Sequence, residues 1–176
     1  AWRYGVAVDY DDNIWMGGHG GSGPAHYFNA SDSYNMVSTS VNDVTGITVA
    51  PDGTIWGSQY NINRVVRIDP ITGLELCSAP ISCGTHVASC SRPHGVAALA
   101  DGTIWAPIRF GGIINVFDGT TCALLNVHAV DPGHELYTYS DMAGTQLMTV
   151  TTRVGHWIQD FDSGYDSPFW SEVTWT

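Results

Sequence analysis

Cys83, His86, Cys90 and His94 read C-x2-H-x3-C-x3-H, residue types and spacing that could hold a metal. Thiolate sulfur and imidazole nitrogen are the ligands zinc takes in tetrahedral sites. The same cysteines serve a second chemistry. Cys77, Cys83, Cys90 and Cys122 are the only four in the chain, in an acidic sequence without lysine. Such an even set favours disulfides formed in an oxidising compartment. A second cluster, Asp9, Asp11 and Asp12, has the look of a calcium ladder, but an EF-hand loop needs its glycine and a distal glutamate. None of the sequences GxSxG, HExxH, GxGxxG or a phosphate-binding loop occurs. Ser, His and Asp combinations exist by composition alone and carry no weight.

What must position these residues is an internal repeat. The phrases GVAVDYDDNIW, GITVAPDGTIW and GVAALADGTIW start at 5, 46 and 95, hence 41 and then 49 residues apart. Repeats of roughly 40–50 residues with strand-turn-strand content indicate propeller blades. Ile47 and Val49 alternate on one face, Pro51-Asp52-Gly53-Thr54 makes a turn, and Ile55-Trp56 begins the next strand. A third strand, VVRID at 65–69, ends on an aspartate thirteen positions after Trp56, as INVFD at 114–118 does after Trp105. The first repeat is looser, with HYFNAS at 26–31. Outer fourth strands are expected near 34–40, 74–79 and 122–129, which completes one four-stranded blade per repeat. Trp15, Trp56 and Trp105 read as blade-core anchors, and the aspartates at 9, 11 and 12 occupy the turn slot of Pro51-Asp52-Gly53. Turn chemistry therefore accounts for them better than calcium.

In a blade, the loops joining second to third strand and one blade to the next share one end. That places His19, Gln59, Tyr60, Asn61, His94 and Arg109 on a single candidate ligand face, with the Asp-Gly turns at the opposite end. A propeller already has a core, and structural zinc is needed chiefly where there is none. Disulfides among Cys77, Cys83, Cys90 and Cys122 are therefore preferred over zinc at Cys83, His86, Cys90 and His94. At least one bridge is expected within 77–90, and the sequence leaves open which of three pairings applies.

The second repeat, Gly46 to Trp56 followed by Asn63-Arg64-Val65-Val66-Arg67-Ile68-Asp69-Pro70 and Thr72-Gly73, resembles propellers of the streptogramin (virginiamycin B) lyase and related NHL-type group. The resemblance covers roughly 4–130 and implies the architecture. Many unrelated functions use this blade. In the lyases a glutamate follows the Trp of several blades at the third position and faces the central site. Here those positions are Gly18, Gln59 and Ile108, so the acids a metal-assisted lyase would need are not supplied.

Propeller blades are expected over 1–135. Residues 136–176 lack the leading Gly and the repeat's Trp, and read as a degenerate blade or the start of a C-terminal β-sandwich. The segment from Tyr139-Ser140-Asp141-Met142 to Trp175 resembles a module that follows propellers in large secreted bacterial proteins. Three clear blades do not close around an axis, so remaining blades of the same protein or companion chains are expected partners.

Composition narrows the function classes. There are 17 acids against 6 bases, for a net charge of −11. The bases, Arg3, Arg64, Arg67, Arg92, Arg109 and Arg153, are scattered, which disfavours nucleic acid and anionic membrane surfaces. No apolar run approaches the ~20 residues that span a bilayer. With no initiator Met and no signal segment, the numbering is expected to start inside a processed protein. Asn29-Ala30-Ser31 is a formal glycosylation acceptor. These features point to a segment of a secreted β-propeller protein, extracellular or periplasmic, acting as a binding or assembly module for a small molecule or glycan. No cofactor is expected beyond the zinc or calcium alternatives. The competing reading is a lyase or hydrolase whose catalytic residues lie mainly on blades outside this chain.

Overall fold

The computed structural model describes residues 3–18, 24–33 and 35–138. Its first antiparallel sheet runs β1 (Arg3–Val8), β2 (Ile14–Gly18), β3 (Pro24–Asn29) and β4 (Asn35–Asn42), in that order. The second repeats the plan with β5 (Val44–Val49), β6 (Ile55–Gln59), β7 (Arg64–Ile68) and β8 (Glu75–Pro80). The third holds β9 (Ser91–Pro93), β10 (Ala97–Ala98), β11 (Thr103–Phe110), β12 (Ile113–Asp118) and β13 (Leu124–Ala129). Strand follows strand in space as in sequence, because short turns favour antiparallel neighbours. No helix among the described residues is long and apolar enough to cross a membrane. The reading of 136–176 as a degenerate blade or sandwich concerns residues that, from 139 onward, lie outside those described.

The third blade departs from the four-strand plan. Its innermost strand is broken into β9 and β10 around His94-Gly95-Val96, both pieces pairing with β11. Pro107 of β11 stands opposite the gap. It accepts a bond from the His94 amide at 3.1 Å but has no N–H to return.

The repeated turns are held by their own side chains. Asp52 and Asp101 each accept from the backbone and hydroxyl of Thr54 or Thr103 at 2.6–3.0 Å. In the first copy Asp9 plays that part, receiving the amides of Asp11 and Asn13, the Asn13 amide group and Trp15 Nε1 at 2.7–3.0 Å. Its oxygens are spent inside the turn, as the turn reading of the acidic ladder requires. After the third strand, Cys122 (φ 62°) takes the left-handed place that Gly73 (φ 68°) takes in the preceding blade, a conformation that non-glycine residues seldom adopt.

Two kinds of contact hold the blades together. Nearest the centre, backbone meets backbone at the leading glycines: a Cβ on Gly46 would lie 2.6 Å from the His94 carbonyl oxygen and 2.9 Å from Gly95 Cα, and one on Gly5 would lie 2.5 Å from the Thr45 oxygen. Farther out, each seam is apolar. Ala7, Trp15 and Ala25 pack with Ile47, Val49, Ile55 and Ile68. Trp56, Val65 and Ala79 pack with Val96, Ala98, Ile104 and Phe117. The Trp of one blade is thus buried by the next.

Trp105 breaks this rule and corrects the expectation of three equivalent anchors. Trp15 and Trp56 are fully buried, whereas Trp105 is half-buried and stacks on His128 at 5.3 Å. Among the described residues no sheet follows the third. At the other end of the stack, Val6 and Val8 are 42% and 47% exposed, while their counterparts Ile47, Val49, Val96 and Ala98 are at most 2% exposed.

Two disulfides are present. Cys77–Cys122 ties β8 to the turn before β13, across the second seam. Cys83–Cys90 closes a loop in the connection that lengthens the second repeat.

Candidate functional site

At the loop end of the second seam, three aromatic rings and two guanidinium groups interleave. Tyr60 follows β6, Arg92 belongs to β9, Arg109 and Phe110 end β11, and Glu135 and Tyr137 come from the segment beyond β13. Phe110 bridges to Glu135 through the backbone, which folds that segment back over the blade ends. The Arg92 guanidinium carbon lies 5.2 Å from the Tyr60 ring centre and 5.1 Å from that of Phe110. That of Arg109 lies 5.0 Å from Phe110 and 4.8 Å from Tyr137. Such stacking is attractive because the ring face carries partial negative charge. Arg109 also donates to the Tyr60 hydroxyl at 2.9 Å and, through Nε and Nη2, to Glu135 at 3.2 Å.

Beneath this layer His94 is fully buried. Its Nδ1 donates to the Thr138 carbonyl at 2.7 Å. Its ring packs 5.0 Å from Tyr4, 5.6 Å from Tyr60 and 4.6 Å from Tyr137. Tyr4 and Tyr137 share a hydroxyl–hydroxyl bond at 2.9 Å, which joins the first strand to the last described segment. A cleft of about 400 Å³ adjoins the cluster, walled by His86, Val87, Phe110, Pro132, His134 and Glu135.

The structure brings together only part of the sequence-derived face. Tyr60, His94 and Arg109 converge. His94 lies behind the surface and supports the tyrosines, where a solvent-facing contact had been expected. Gln59 is likewise buried: its amide donates to the Asn42 carbonyl at 2.6 Å and its oxygen accepts from Arg64 Nε. Asn61 is exposed, but its backbone and side chain both bond Asp43, at 2.6 and 3.0 Å. These two residues shape the 59–63 loop. His19 lies outside the described residues.

The four-residue zinc arrangement does not assemble. Cys83 and Cys90 are bonded to each other, His86 Nε2 donates to the Val127 carbonyl at 3.1 Å, and His94 sits among tyrosines. Of the positions where the lyase-type resemblance expects a glutamate, Gly18, Gln59 and Ile108 are all buried. Asn29 caps a single 3-10 turn, Ala30–Asp32, accepting from the amide and hydroxyl of Ser31 at 2.9 and 2.7 Å.

The opposite end is a structural clasp. Arg67 reaches Asp52 at 2.7 Å, Thr54 Oγ1 at 3.1 Å and the Thr120 carbonyl of the next blade at 2.8 Å. Burial alone would raise the Asp52 pKa, but the Thr54 bonds and Arg67 outweigh it and hold the carboxyl below its usual value.

Sequence reasoning missed Arg92, Phe110, Glu135 and Tyr137 as members of the cluster. Arg92 lies in the inserted stretch, which has no counterpart in the shorter first repeat. The only local sign was an Arg-Pro pair just ahead of a leading glycine.

No family model matches the chain, and no curated protein sequence matches it. Solved structures do. A streptogramin B lyase structure is similar over 73% of this chain, with a TM-score of 0.60 and 18% identity. Virginiamycin B lyase from Staphylococcus aureus is similar over 74%, with a TM-score of 0.60 and 15% identity. Hydrazine synthase of Kuenenia stuttgartiensis is similar over 74%, with a TM-score of 0.60 and 14% identity. The fold is therefore that of β-propeller blades, as the repeats and the resemblance implied. The chain spans less than half of each of these structures, 41%, 42% and 37% respectively. Their activities differ, so the likeness concerns the fold alone.

Proposed function

We propose that this chain is a blade-forming segment of a secreted β-propeller protein and serves as a binding or assembly module, without catalysis of its own. Its ligand face is the loop end of the second seam, and its partners are further blades together with a small molecule or glycan. The observation that carries this reading is the interleaved cluster of Tyr60, Arg92, Phe110, Arg109 and Tyr137 beside an open cleft. Rings and guanidinium groups of this kind recur at binding hot spots, and a concave site with a few converging polar groups suits a small ligand. Among the described residues at that end, none of the hydrogen bonds given above joins a nucleophile to a base, as covalent catalysis needs. The two disulfides support an oxidising compartment. The half-buried Trp105 and the exposed Val6 and Val8 support further blades at both ends of the stack.

The test is a binding screen of the full chain against small molecules and glycans, repeated with variants. Tyr60→Phe leaves two arginines short of an acceptor, and Arg109→Ala removes one of them. Each should weaken a bound ligand by about tenfold, the scale of a lost charge-assisted bond. Asp101→Ala, at the opposite end, should leave binding unchanged. Sensitivity to Asp101 with indifference to Tyr60 and Arg109 would mean the two ends have been inverted.

A further inference from the structure

We propose that the loop end of the second seam takes the carboxylate of a small organic ligand, with Arg92 as the residue that captures it. This rests on reading that end as the ligand face.

The first ground is charge. Arg64, Arg67 and Arg109 each end on a carboxylate, Glu75, Asp52 and Glu135 respectively, at 2.7–3.2 Å. Among the described residues Arg92 has no carboxylate within 4.0 Å. In a chain with 17 acids and a net charge of −11, carboxylates are plentiful. A guanidinium set apart from every described carboxylate, beside another one, retains a net positive charge at that spot. Phe110 carries both groups, Arg92 at 5.1 Å and Arg109 at 5.0 Å, and Glu135 offsets only one.

The second ground is geometry. The Arg92 guanidinium carbon lies over the rings of Tyr60 and Phe110, and the side chain is exposed. Of its five donors, one reaches the Tyr60 hydroxyl, at a long 3.5 Å. A guanidinium held over aromatic rings with most of its donors uncommitted can receive a carboxylate in two parallel bonds. Its backbone is fixed beforehand: the Arg92 amide donates to Asn63 Oδ1 at 2.7 Å, and its neighbour Ser91 pairs with Phe110 in the sheet. A group ordered in advance loses less entropy on binding.

The third ground is the adjoining cleft of about 400 Å³, which shares Phe110 as a wall. Val87 and Pro132 give it apolar surface, and His86, Ser89 and His134 give it polar groups. That volume is near the small end of ligand sites and suits one sugar ring or one amino-acid residue. The charge of the ligand follows from Glu135. A monoanion matches the single net positive charge, whereas a phosphate dianion would meet the repulsion of that carboxylate.

The full chain would be titrated by calorimetry with galacturonate and N-acetylglycine, two sources of the same carboxylate. Galactose and N-acetylglycinamide are the neutral counterparts, and inorganic phosphate is the competing anion. At least one acid should bind about tenfold more tightly than its neutral counterpart, and which acid does so separates a sugar from a peptide ligand. Arg92→Gln should erase that preference, and added salt should weaken it. Arg92→Gln loses two ring contacts at an exposed site, so its urea midpoint should fall only slightly, and that measurement shows the variant is folded. Equal binding of acid and neutral forms, an unaltered acid affinity in Arg92→Gln, tighter binding of phosphate, or no saturable binding of either acid would each overturn the assignment. If neutral ligands bind and Arg109→Ala weakens them while Arg92→Gln does not, the ligand class is wrong and the ligand face stands. If neither variant matters, both fail.

Discussion

Replacing Gly46 by alanine tests how the blades are spaced. The added Cβ would sit 2.6 Å from the His94 carbonyl oxygen, 2.9 Å from Gly95 Cα and 2.9 Å from Ser58 Oγ. Carbon atoms prefer about 3.5–4.0 Å, so the second and third blades must part by about 0.6 Å or more at their closest point. Overpacking of this kind costs about 1–3 kcal/mol. The strain also falls on a buried bridge, in which Ser58 Oγ accepts from the Gly46 amide at 2.9 Å and donates to the His94 carbonyl at 2.8 Å. Weakening those bonds adds about 1 kcal/mol, for a loss of about 3 kcal/mol and a fall in Tm of about 6–12 °C at this chain length. Gly102→Ala is the comparison. It lies at φ 83° with nothing within 4 Å of a new Cβ, so it meets only the backbone cost of about 1–2 kcal/mol. Urea titration followed by fluorescence of the buried Trp15 and Trp56 would measure both. A Gly46→Ala loss no larger than that of Gly102→Ala would refute close backbone approach as the reason for the leading glycine.

Two further expectations follow from the covalent and ionic features. The loop closed by Cys77–Cys122 spans 45 residues and that by Cys83–Cys90 spans 7, so the chain-entropy model assigns about 4 and about 2.4 kcal/mol to them; urea midpoints of the two paired-serine variants should fall in that order, and the reverse order would refute it. The carboxyls of Asp69, Asp101 and Asp118 lie below their usual values, chiefly through bonds donated by Thr72, Thr103 and Thr121. Their contribution is whole above the unfolded-chain value of about 4 and fades as pH falls through the lower folded values. Asp118→Asn should flatten the acid limb of stability below about pH 4, and an unchanged limb in urea titrations would count against it.

The blades were legible in the sequence because their determinants are local and repeated. Period-two alternation, Asp-Gly turns and a Trp at fixed distance each specify structure within ten residues or so. The leading glycine was visible as a repeat, although its reason, contact with the next blade's backbone, was not. What escaped depends on neighbours far apart in the chain. The partner of Cys77 is fixed by blades lying side by side. The break at His94 needs Pro107 to stand opposite it, which no local pattern states. The burial of His94 and Gln59 depends on Thr138 and Arg64 coming to meet them. Arg92 was visible only as a residue, because the stretch that holds it follows no repeat.

The disulfides are nested, the 83–90 ring lying wholly inside the larger ring closed by Cys77 and Cys122. One cut of the backbone between 78 and 121 therefore frees nothing. A protease that opens the exposed 84–86 stretch leaves both new ends tethered, first by the small ring and then by the large one. The nicked molecule keeps its mass, apart from one added water, and runs as a single band until a reductant is added. Under reduction it separates into two pieces, one ending and one beginning at the cut. In a compartment rich in proteases, the connection that walls the cleft could be clipped while the second and third blades stay linked at their outer rim.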